Sequence, residues 1–323
     1  MATEEAQLRI PRVDLTGLRL EHVGTARWDA AREEVARALE SYGCFDAVYD
    51  GVGPELLRTL FGKGAKELFG LPLETKRKNS AGTPYHGYIG QLPGLDYESL
   101  ALEDAEVMRG AERFTRLMWP DGNPEFRDTL CSFAKKLVEL DRLVQKMILE
   151  SLGADKYFDS HIDTTKYLLR LAEYRAPQTS ETIVCMPEHT DHSFVTIICQ
   201  DQVSGLEILT KNRDWITVRP SPDSFTIMTG DAFEAWSNGR LVPPRHRVVL
   251  NGGNTRYSSI LCSFRKDGHL VQAPNELVDK EHPMLFKPYL HGDYLNFCIT
   301  EAGYNAQHRL RAFCGLGEKG EEV

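Results

Sequence analysis

Two histidines and two acids fall within the octapeptide PEHTDHSF at residues 187–194. In an extended chain alternate side chains point the same way, so His189 and Asp191 share one side while His192 points away from it. An imidazole beside a carboxylate needs one more ligand to form the two-histidine, one-carboxylate face of a non-haem iron(II) site. We predict that His246, which follows in the segment PPRHRVVL, supplies that ligand.

The tripeptide RYS at 256–258 adds a recognition site for an anion. On a strand, Arg256 and Ser258 share a face, and a guanidinium beside a hydroxyl binds a terminal carboxylate well. Three protein ligands also leave about half of a six-coordinate iron open, which is enough for a bidentate co-substrate and dioxygen. We therefore predict a dicarboxylate co-substrate whose 2-oxo acid end chelates the iron while its other end binds Arg256 and Ser258.

Composition and charge restrict the partners of such a site. The chain has 323 residues, of which 41% are hydrophobic, and a net charge of -9 that disfavours nucleic acid and anionic membrane surfaces. Seven cysteines without a CxxC pair predict reduced thiols. The amino terminus lacks the pattern of a secretory signal, and no apolar run reaches the roughly 20 residues of a membrane span. We expect a cytoplasmic monomer that acts on a small molecule.

Helical patterns dominate the first half of the chain. Apolar residues recur at helical spacing over 25–42 and again over 54–72, and the pair Asn-Pro at 123–124 begins a helix that ends at Leu152. The segment 76–93 is rich in glycine, serine and tyrosine, which is typical of a long loop.

From Lys166 onward the residue pattern is typical of strands. Short β-branched and aromatic runs, among them FVTIICQ, HRVVL and YSSILCSF, alternate with turn residues and predict an antiparallel sandwich or barrel. After Pro283 a helical pattern returns, with Tyr294, Phe297 and Cys298 on its apolar stripe and Tyr304 as a further candidate. The expected architecture is an α+β fold with a β core flanked by helices.

These motifs resemble those of the plant soluble 2-oxoglutarate- and iron(II)-dependent dioxygenases. HTD at 189–191, HR at 246–247 and RYS at 256–258 occur in that family's order, and YGCFDAVYDGV is similar to its amino-terminal segment. Within the family, PYHGYIGQ, YESLAL and ELVDKEHPMLFKP resemble deoxypodophyllotoxin synthase and the AOP dioxygenases of glucosinolate side chains. The resemblance covers nearly the whole chain and implies a role in plant specialised metabolism.

The resemblance implies a fold and a division of the chain. The expected core is a double-stranded β-helix, also called a jelly roll or cupin-like fold, over 161–275. A mainly helical dioxygenase region precedes it over 1–160, and a helical extension follows over 276–323. Fe(II) and the co-substrate 2-oxoglutarate are expected to bind in the core, with ascorbate as the reductant.

The resemblance also assigns roles to individual residues. His189, Asp191 and His246 match the iron ligands, while Arg256 and Ser258 match the 2-oxoglutarate clamp. A tyrosine at the position of Tyr174 commonly bonds the co-substrate. Many relatives carry asparagine two residues before that tyrosine, where this chain has Ala172. One polar contact near the co-substrate is therefore missing.

Four further residues are candidates for contact with the substrate. Tyr85 and His86 belong to an aromatic loop suited to covering an organic molecule. Cys262 faces the same side of its strand as Arg256, although a small buried side chain is the plainer interpretation. Phe114 either lines the pocket or fills the interface between a helix and the core.

The predicted activity is oxidation of a small organic molecule by hydroxylation, desaturation or ring closure, with release of succinate and CO2. Three alternatives remain open from the residues alone. The same ligands could hold zinc in a hydrolase, although Arg256 and Ser258 then lack a role. The chain could be a non-catalytic jelly-roll binding protein, or an oxidase of this fold that dispenses with 2-oxoglutarate.

Overall fold

The structure is a computed structural model that describes residues 8–176 and 181–317. Its helices are α1 (Ala26–Tyr42), α2 (Pro54–Thr59), α3 (Lys66–Phe69), α4 (Leu73–Lys76), α5 (Met108–Met118), α6 (Pro124–Ser151), α7 (Phe158–Asp163), α8 (Asp231–Trp236), α9 (His291–Cys298), α10 (Glu301–Asn305) and α11 (Arg309–Phe313). A π-helical turn over Leu60–Ala65 joins α2 to α3. Within the described ranges, no helix is both long and apolar enough to cross a membrane.

The two long helices begin and end within one residue of the predicted bounds, because capping residues lie at their ends. The Thr25 hydroxyl accepts a hydrogen bond from the Trp28 amide at 3.3 Å, and Gly43 ends α1 in the left-handed conformation. The Asn123 side chain accepts from the Phe126 amide at 3.1 Å, directly before the proline that opens α6. The buried face of α6 then packs against the sheet through side chains that are mostly apolar.

The strands are β1 (Arg12–Asp14), β2 (Cys44–Val48), β3 (Ile89–Leu92), β4 (Leu95–Glu103), β5 (Thr165–Tyr174), β6 (Ile183–His189), β7 (Val195–Gln200), β8 (Leu206–Leu209), β9 (Trp215–Thr217), β10 (Ser224–Thr229), β11 (His246–Leu250), β12 (Arg256–Arg265), β13 (Leu270–Val271) and β14 (Tyr289–Leu290). The main sheet has the order β1-β2-β10-β7-β12-β5-β4-β3, and a second sheet has the order β6-β11-β8-β9. All of these pairs except β1 with β2 are antiparallel.

The two sheets pack face to face and enclose part of the core. Ile198 and Met228 of the main sheet share one apolar cluster with Ile208 and Ile216 of the second sheet. A neighbouring cluster joins β4 and β5 to β6 and β11 in the same way. This packing, together with the surrounding helices, confirms the predicted α+β jelly-roll core.

The main sheet extends further toward the amino terminus than the sequence indicates. β4 pairs with β5 from Tyr97 to Glu103, although its sequence LDYESLALE is rich in leucine, alanine and glutamate, which favour helix. Pairing and burial outweigh that local preference. β3 likewise lies within the predicted loop 76–93. The sheet therefore crosses the boundary proposed near residue 160, and the division of the chain stays a prediction.

The carboxy-terminal helices pack on the jelly roll through aromatic side chains. Tyr294 and Cys298 of α9 are buried as predicted, but Tyr304 is 72% exposed and does not belong to the apolar stripe. A turn at Thr300 separates α9 from α10, so helical spacing does not continue from Cys298 to Tyr304. The last residues of the predicted extension, 318–323, lie outside the described residues.

Candidate active site

The three predicted metal ligands come together at the end of the second sheet. His189 ends β6, His246 begins β11, and the two residues are direct partners in the antiparallel ladder. The Asp191 Oδ1 atom lies 3.7 Å from the Nε2 atom of each histidine. One donor atom from each residue lies within 4.8 Å of the other two, which is a spacing that a single metal ion can bridge.

Both imidazoles are held in the tautomer that metal binding needs. His189 Nδ1 lies 2.8 Å from the carbonyl oxygen of Pro187, and His246 Nδ1 lies 3.2 Å from that of Pro244. Because each Nδ1 donates its hydrogen to a carbonyl, each Nε2 keeps a free lone pair directed toward Asp191. In both cases the acceptor is the carbonyl of the proline two residues before the histidine.

The charge state of the site also suits a cation. Burial, together with the neighbouring His246, lowers the pKa of His189 to about 4, so this imidazole is neutral near pH 7. Burial acts to raise the pKa of Asp191, but the two histidines offset it and hold the pKa below its ordinary value. The Asp191 Oδ2 atom is buried and has no hydrogen-bond partner among the described residues. This donor set and orphaned oxygen fit a divalent metal.

The backbone of Asp191 is anchored by the segment that follows β10. The Asp231 amide donates to the Asp191 carbonyl at 2.8 Å, and the Gly230 amide donates to the Phe194 carbonyl at 2.9 Å. A Cβ at Gly230 would lie 2.3 Å from the Ser193 carbonyl oxygen, so only glycine permits this approach. Asp231 in turn accepts from the Tyr294 hydroxyl at 2.6 Å. Apart from the turn-forming pair Gly-Asp, no motif in the chain indicates these supporting contacts.

The predicted carboxylate clamp is a buried arginine without an acidic partner. Arg256 is 1% exposed, and its guanidinium donates to the Ser258 hydroxyl at 3.2 Å and to Gln200 Oε1 at 3.0 and 3.3 Å. Tyr174 is its direct partner on β5, with the ring centroid 4.8 Å from the guanidinium carbon. Burial lowers the pKa of Arg256 from its high ordinary value. In the described parts of the chain, no carboxylate pairs with this cation.

Two further residues contact Arg256 but belong to no motif that could be recognised in the sequence. Gln200 ends β7 and becomes a neighbour of Arg256 only through the pairing of β7 with β12. Gly205 lets the arginine pass, because a Cβ there would lie 2.8 Å from Arg256 Cδ and 3.0 Å from the Val249 carbonyl oxygen. The clamp is therefore a product of the sheet rather than of the RYS tripeptide alone.

The structure distributes the four substrate candidates over two regions. The Tyr85 ring lies 5.5 Å from that of His192, next to the metal ligands. Cys262 Sγ lies 3.7 Å from the Thr196 hydroxyl. Burial raises the pKa of the Cys262 thiol, and the negative charge of Asp191 adds to that rise. His86 Nδ1 lies 2.7 Å from Glu103 Oε1, and its ring packs on Phe264.

Phe114 occupies a different position from the one predicted for a pocket residue. Its side chain is 4% exposed in the interior between α5 and α6, with its ring 6.3 Å from that of Phe126. The apolar face of α5 must be covered, and α6 covers it. The second interpretation of Phe114, filling of a helix interface, therefore describes its contacts.

Comparison with known proteins agrees with this geometry. The sequence pattern of the 2OG-Fe(II) oxygenase superfamily matches residues 157–264, and that of the non-haem dioxygenase in morphine synthesis N-terminal region matches residues 10–104. The Arabidopsis thaliana protein named "Probable 2-oxoglutarate-dependent dioxygenase AOP1.2" is 43% identical over 314 residues, covering 95% of this chain and 96% of the relative. The chain belongs to the 2-oxoglutarate- and iron(II)-dependent dioxygenases.

Solved structures place the dioxygenase in the same fold family. The rice dioxygenase for auxin oxidation is 30% identical, with a TM-score of 0.74 over 90% of this chain and 95% of that chain. The Arabidopsis thaliana dioxygenase for auxin oxidation 1, solved as a complex with 2-oxoglutarate, is 27% identical with a TM-score of 0.76 over 85% of this chain and 100% of that chain.

Family membership argues against two of the three alternatives that the residues left open. The dioxygenase uses Fe(II), 2-oxoglutarate and O2 to oxidise a small molecule, and neither a zinc hydrolase nor a non-catalytic binding protein is supported.

Proposed function

We propose that His189, Asp191 and His246 bind Fe(II) and that Arg256, Ser258 and Tyr174 bind the distal carboxylate of 2-oxoglutarate. One observation carries the proposal. Three donor atoms within 4.8 Å of one another lie in the same jelly roll as a 1% exposed arginine that has no carboxylate partner among the described residues. A buried cation of this kind costs several kcal/mol of desolvation unless an anion accompanies it.

The residues around Arg256 have different roles in binding the co-substrate. Gln200 and Ser258 fix the plane of the Arg256 guanidinium, so its remaining donors meet the carboxylate without loss of rotamer entropy. The Tyr174 ring covers the guanidinium face and keeps water from it. With its far end fixed in this way, 2-oxoglutarate can present its oxo acid end only toward the histidines and Asp191.

The bound iron supplies the redox chemistry that couples decarboxylation of 2-oxoglutarate to succinate with oxidation of the substrate. The chain contributes position and charge. Neutral His189 and the anionic Asp191 leave the ion with a moderate net charge, and the carbonyl bonds of Pro187 and Pro244 prevent the imidazoles from turning. A strong oxidant attacks the C–H bond that is held closest, so the walls of the pocket determine the product.

The substrate in this proposal is a small organic molecule of plant specialised metabolism. Its reaction is a hydroxylation, a desaturation or an oxidative ring closure. The AOP relatives, named as 2-oxoglutarate-dependent dioxygenases, support the reaction class. Ascorbate serves as the reductant that keeps the iron ferrous. A net charge of -9 argues against nucleic acid and anionic membranes as partners, and the proposed form is a cytoplasmic monomer.

The test uses purified protein with Fe(II), ascorbate and 2-oxoglutarate. We expect one equivalent of 2-oxoglutarate to bind and succinate to form, and we expect His189→Ala and Arg256→Ala to abolish turnover. Replacement of the exposed His282, which pairs with Asp279, by alanine is the matched control and leaves turnover intact. Absence of 2-oxoglutarate binding in the wild type, or full turnover in either site variant, contradicts the proposal.

A second measurement distinguishes the oxidase alternative. Oxygen uptake is followed with and without 2-oxoglutarate while compounds are screened by mass for a gain of one oxygen or a loss of two hydrogens. Uptake that depends on 2-oxoglutarate supports the proposed function. Substrate oxidation at the same rate without it favours an oxidase that dispenses with the co-substrate.

A further inference from the structure

The last helix, α11, begins with an arginine, Arg309, and its start is bonded to the strands that carry the two histidines. The chain enters α11 through Gln307, whose carbonyl oxygen accepts a hydrogen bond from Arg245 at 3.0 Å. Arg245 precedes His246 in sequence and also forms an ion pair with Glu188, the neighbour of His189. The start of α11 is thereby tied to both strands that carry the histidines.

Packing of α11 fixes the direction of its first residue, Arg309. Phe313, four residues later, shares its helix face and packs on Tyr294 with ring centroids 5.3 Å apart. Tyr294 lies 5.4 Å from the ring of His192, which in turn contacts Tyr85. Arg309 therefore lies on the face of α11 that is turned toward His192 and Tyr85.

Electrostatics agree with this position. Burial raises the pKa of Tyr85, and the positive charge of Arg309 opposes that rise. The guanidinium is therefore close enough to the Tyr85 phenol to influence it.

Arg309 has no counter-ion in the described parts of the chain. No carboxylate lies within ion-pairing distance of it there, and it makes no hydrogen bond to a described residue. His192 Nε2 is also buried without a partner among those residues. Water can supply all the hydrogen bonds that the half-buried Arg309 guanidinium needs. Water does not reach the buried His192 Nε2 atom, and leaving that nitrogen without a hydrogen bond costs about 1–3 kcal/mol.

The loop opposite Arg309 is held in a strained conformation. Tyr85 has a φ of +65°, which is uncommon for a residue with a side chain. Arg170 fixes it by donating to the carbonyl oxygens of Tyr85 and Gly87 and, at 2.6 Å, to the Ser99 hydroxyl. Strain that the surrounding contacts maintain is characteristic of ligand-binding segments. Here it keeps the 38% exposed phenol of Tyr85 over His192.

We propose that Arg309, Tyr85 and His192 form the anion-binding end of the substrate pocket. The substrate that the dioxygenase oxidises is then a small organic carboxylate. The carboxylate pairs with the Arg309 guanidinium and accepts from the Tyr85 hydroxyl. The rest of the substrate then extends toward the iron. This inference rests on the proposed function and adds the substrate class to it.

The experiment measures binding without turnover. Protein loaded with Mn(II) and 2-oxoglutarate is titrated calorimetrically, in the absence of oxygen, with a panel of aryl and alkyl carboxylates, their primary amides and the matching amines. 3-Phenylpropionate, 3-phenylpropionamide and 3-phenylpropylamine form one such set. The variants are Arg309→Gln and Arg309→Glu. Arg311→Gln is the control, because Arg311 lies on another side of α11 and donates to the Gly317 carbonyl.

We expect the wild type to bind carboxylates about tenfold or more tightly than their amides, as one charge-assisted contact implies. Arg309→Gln removes that preference, Arg309→Glu shifts it toward the amines, and Arg311→Gln leaves it unchanged. Equal binding of acids and amides by the wild type, binding of no panel member, or a preference that survives Arg309→Gln overturns the inference.

Binding of 2-oxoglutarate itself is recorded in the same titrations. If the wild type fails to bind 2-oxoglutarate, the proposed function fails and this inference fails with it. If every variant binds 2-oxoglutarate and the acids show no advantage, only the role of Arg309 is refuted.

Discussion

His189 and His246 are direct partners on adjacent antiparallel strands, with ring centroids 4.2 Å apart. Their approach depends on the register of β6 with β11 and not on any local turn. A shift of one residue would send one imidazole to the opposite face of the sheet. The irregularity in the ladder just after His246 adjusts the spacing at this end of the pair.

Removal of one imidazole is expected to abolish metal binding. His246→Ala leaves two donors, and we predict that Fe(II) affinity falls by more than the roughly 10- to 100-fold typical of losing a group that only orients a ligand. Metal content after dialysis, measured by atomic absorption, checks this. His282→Ala should keep the wild-type metal content, and equal iron in both variants would show that His246 is not a ligand.

Gln200 is expected to affect the co-substrate and not the metal. Gln200→Leu removes the acceptor for two guanidinium hydrogen bonds, so Arg256 loses its fixed orientation. We predict a rise in the KM for 2-oxoglutarate of roughly 10- to 100-fold, the range for hydrogen bonds to charged groups, with unchanged iron content. The exposed neighbour Gln202, changed to leucine, is the control. An unchanged KM in Gln200→Leu would mean that Arg256 does not depend on it.

Gly230 is expected to be essential for the position of Asp191. In Gly230→Ala the new Cβ would lie 2.3 Å from the Ser193 carbonyl oxygen and 2.8 Å from that of Asp191. The segment must therefore shift, and both metal affinity and the melting temperature should fall. Gly253→Ala, where nothing lies within 4 Å, is the comparison. Equal iron affinity in the two variants would contradict this account.

Asp141 makes stability depend on pH. It is fully buried beside Gln145, and burial raises its pKa from 3.8 to about 7. Between these values the folded protein keeps a proton that the unfolded chain has released. Stability from this group is therefore complete below pH 3.8 and falls as pH rises, by up to about 1.4 kcal/mol per pH unit, until the folded carboxyl ionises near pH 7.

The variant Asp141→Asn should flatten that dependence. Urea unfolding at about pH 5 and about pH 7 measures it, and the loss of stability between the two should be smaller in the variant than in the wild type. Asp159→Asn, on the exposed start of α7, should follow the wild type. A variant curve parallel to that of the wild type would assign the pH dependence to other groups.

Much of the site was predictable because its chemistry lies in residue types at short spacing. HTD, the distal histidine and RYS are recognisable without a structure, and the capped ends of α1 and α6 follow from Thr25, Gly43, Asn123 and Pro124. These features depend on neighbours within a few positions, where backbone geometry alone decides which side chains share a face.

β4 and Phe114 are two features that the local sequence pattern did not predict. β4 has the composition of a helix and becomes a strand because β5 supplies hydrogen bonds along it. Phe114 is aromatic and suited to a pocket, yet it packs against Phe126 because α5 needs that contact to bury its apolar face. Neither outcome is encoded near the residue concerned.

The sequence by itself determined which groups could bind a metal and a carboxylate, since those are properties of imidazole, carboxylate and guanidinium. Only the tertiary structure decided that His189 faces His246 and that Gln200 and Gly205 shape the space around Arg256. These contacts join residues far apart in the chain, and they form because burying both faces of the sheets fixes one register among many.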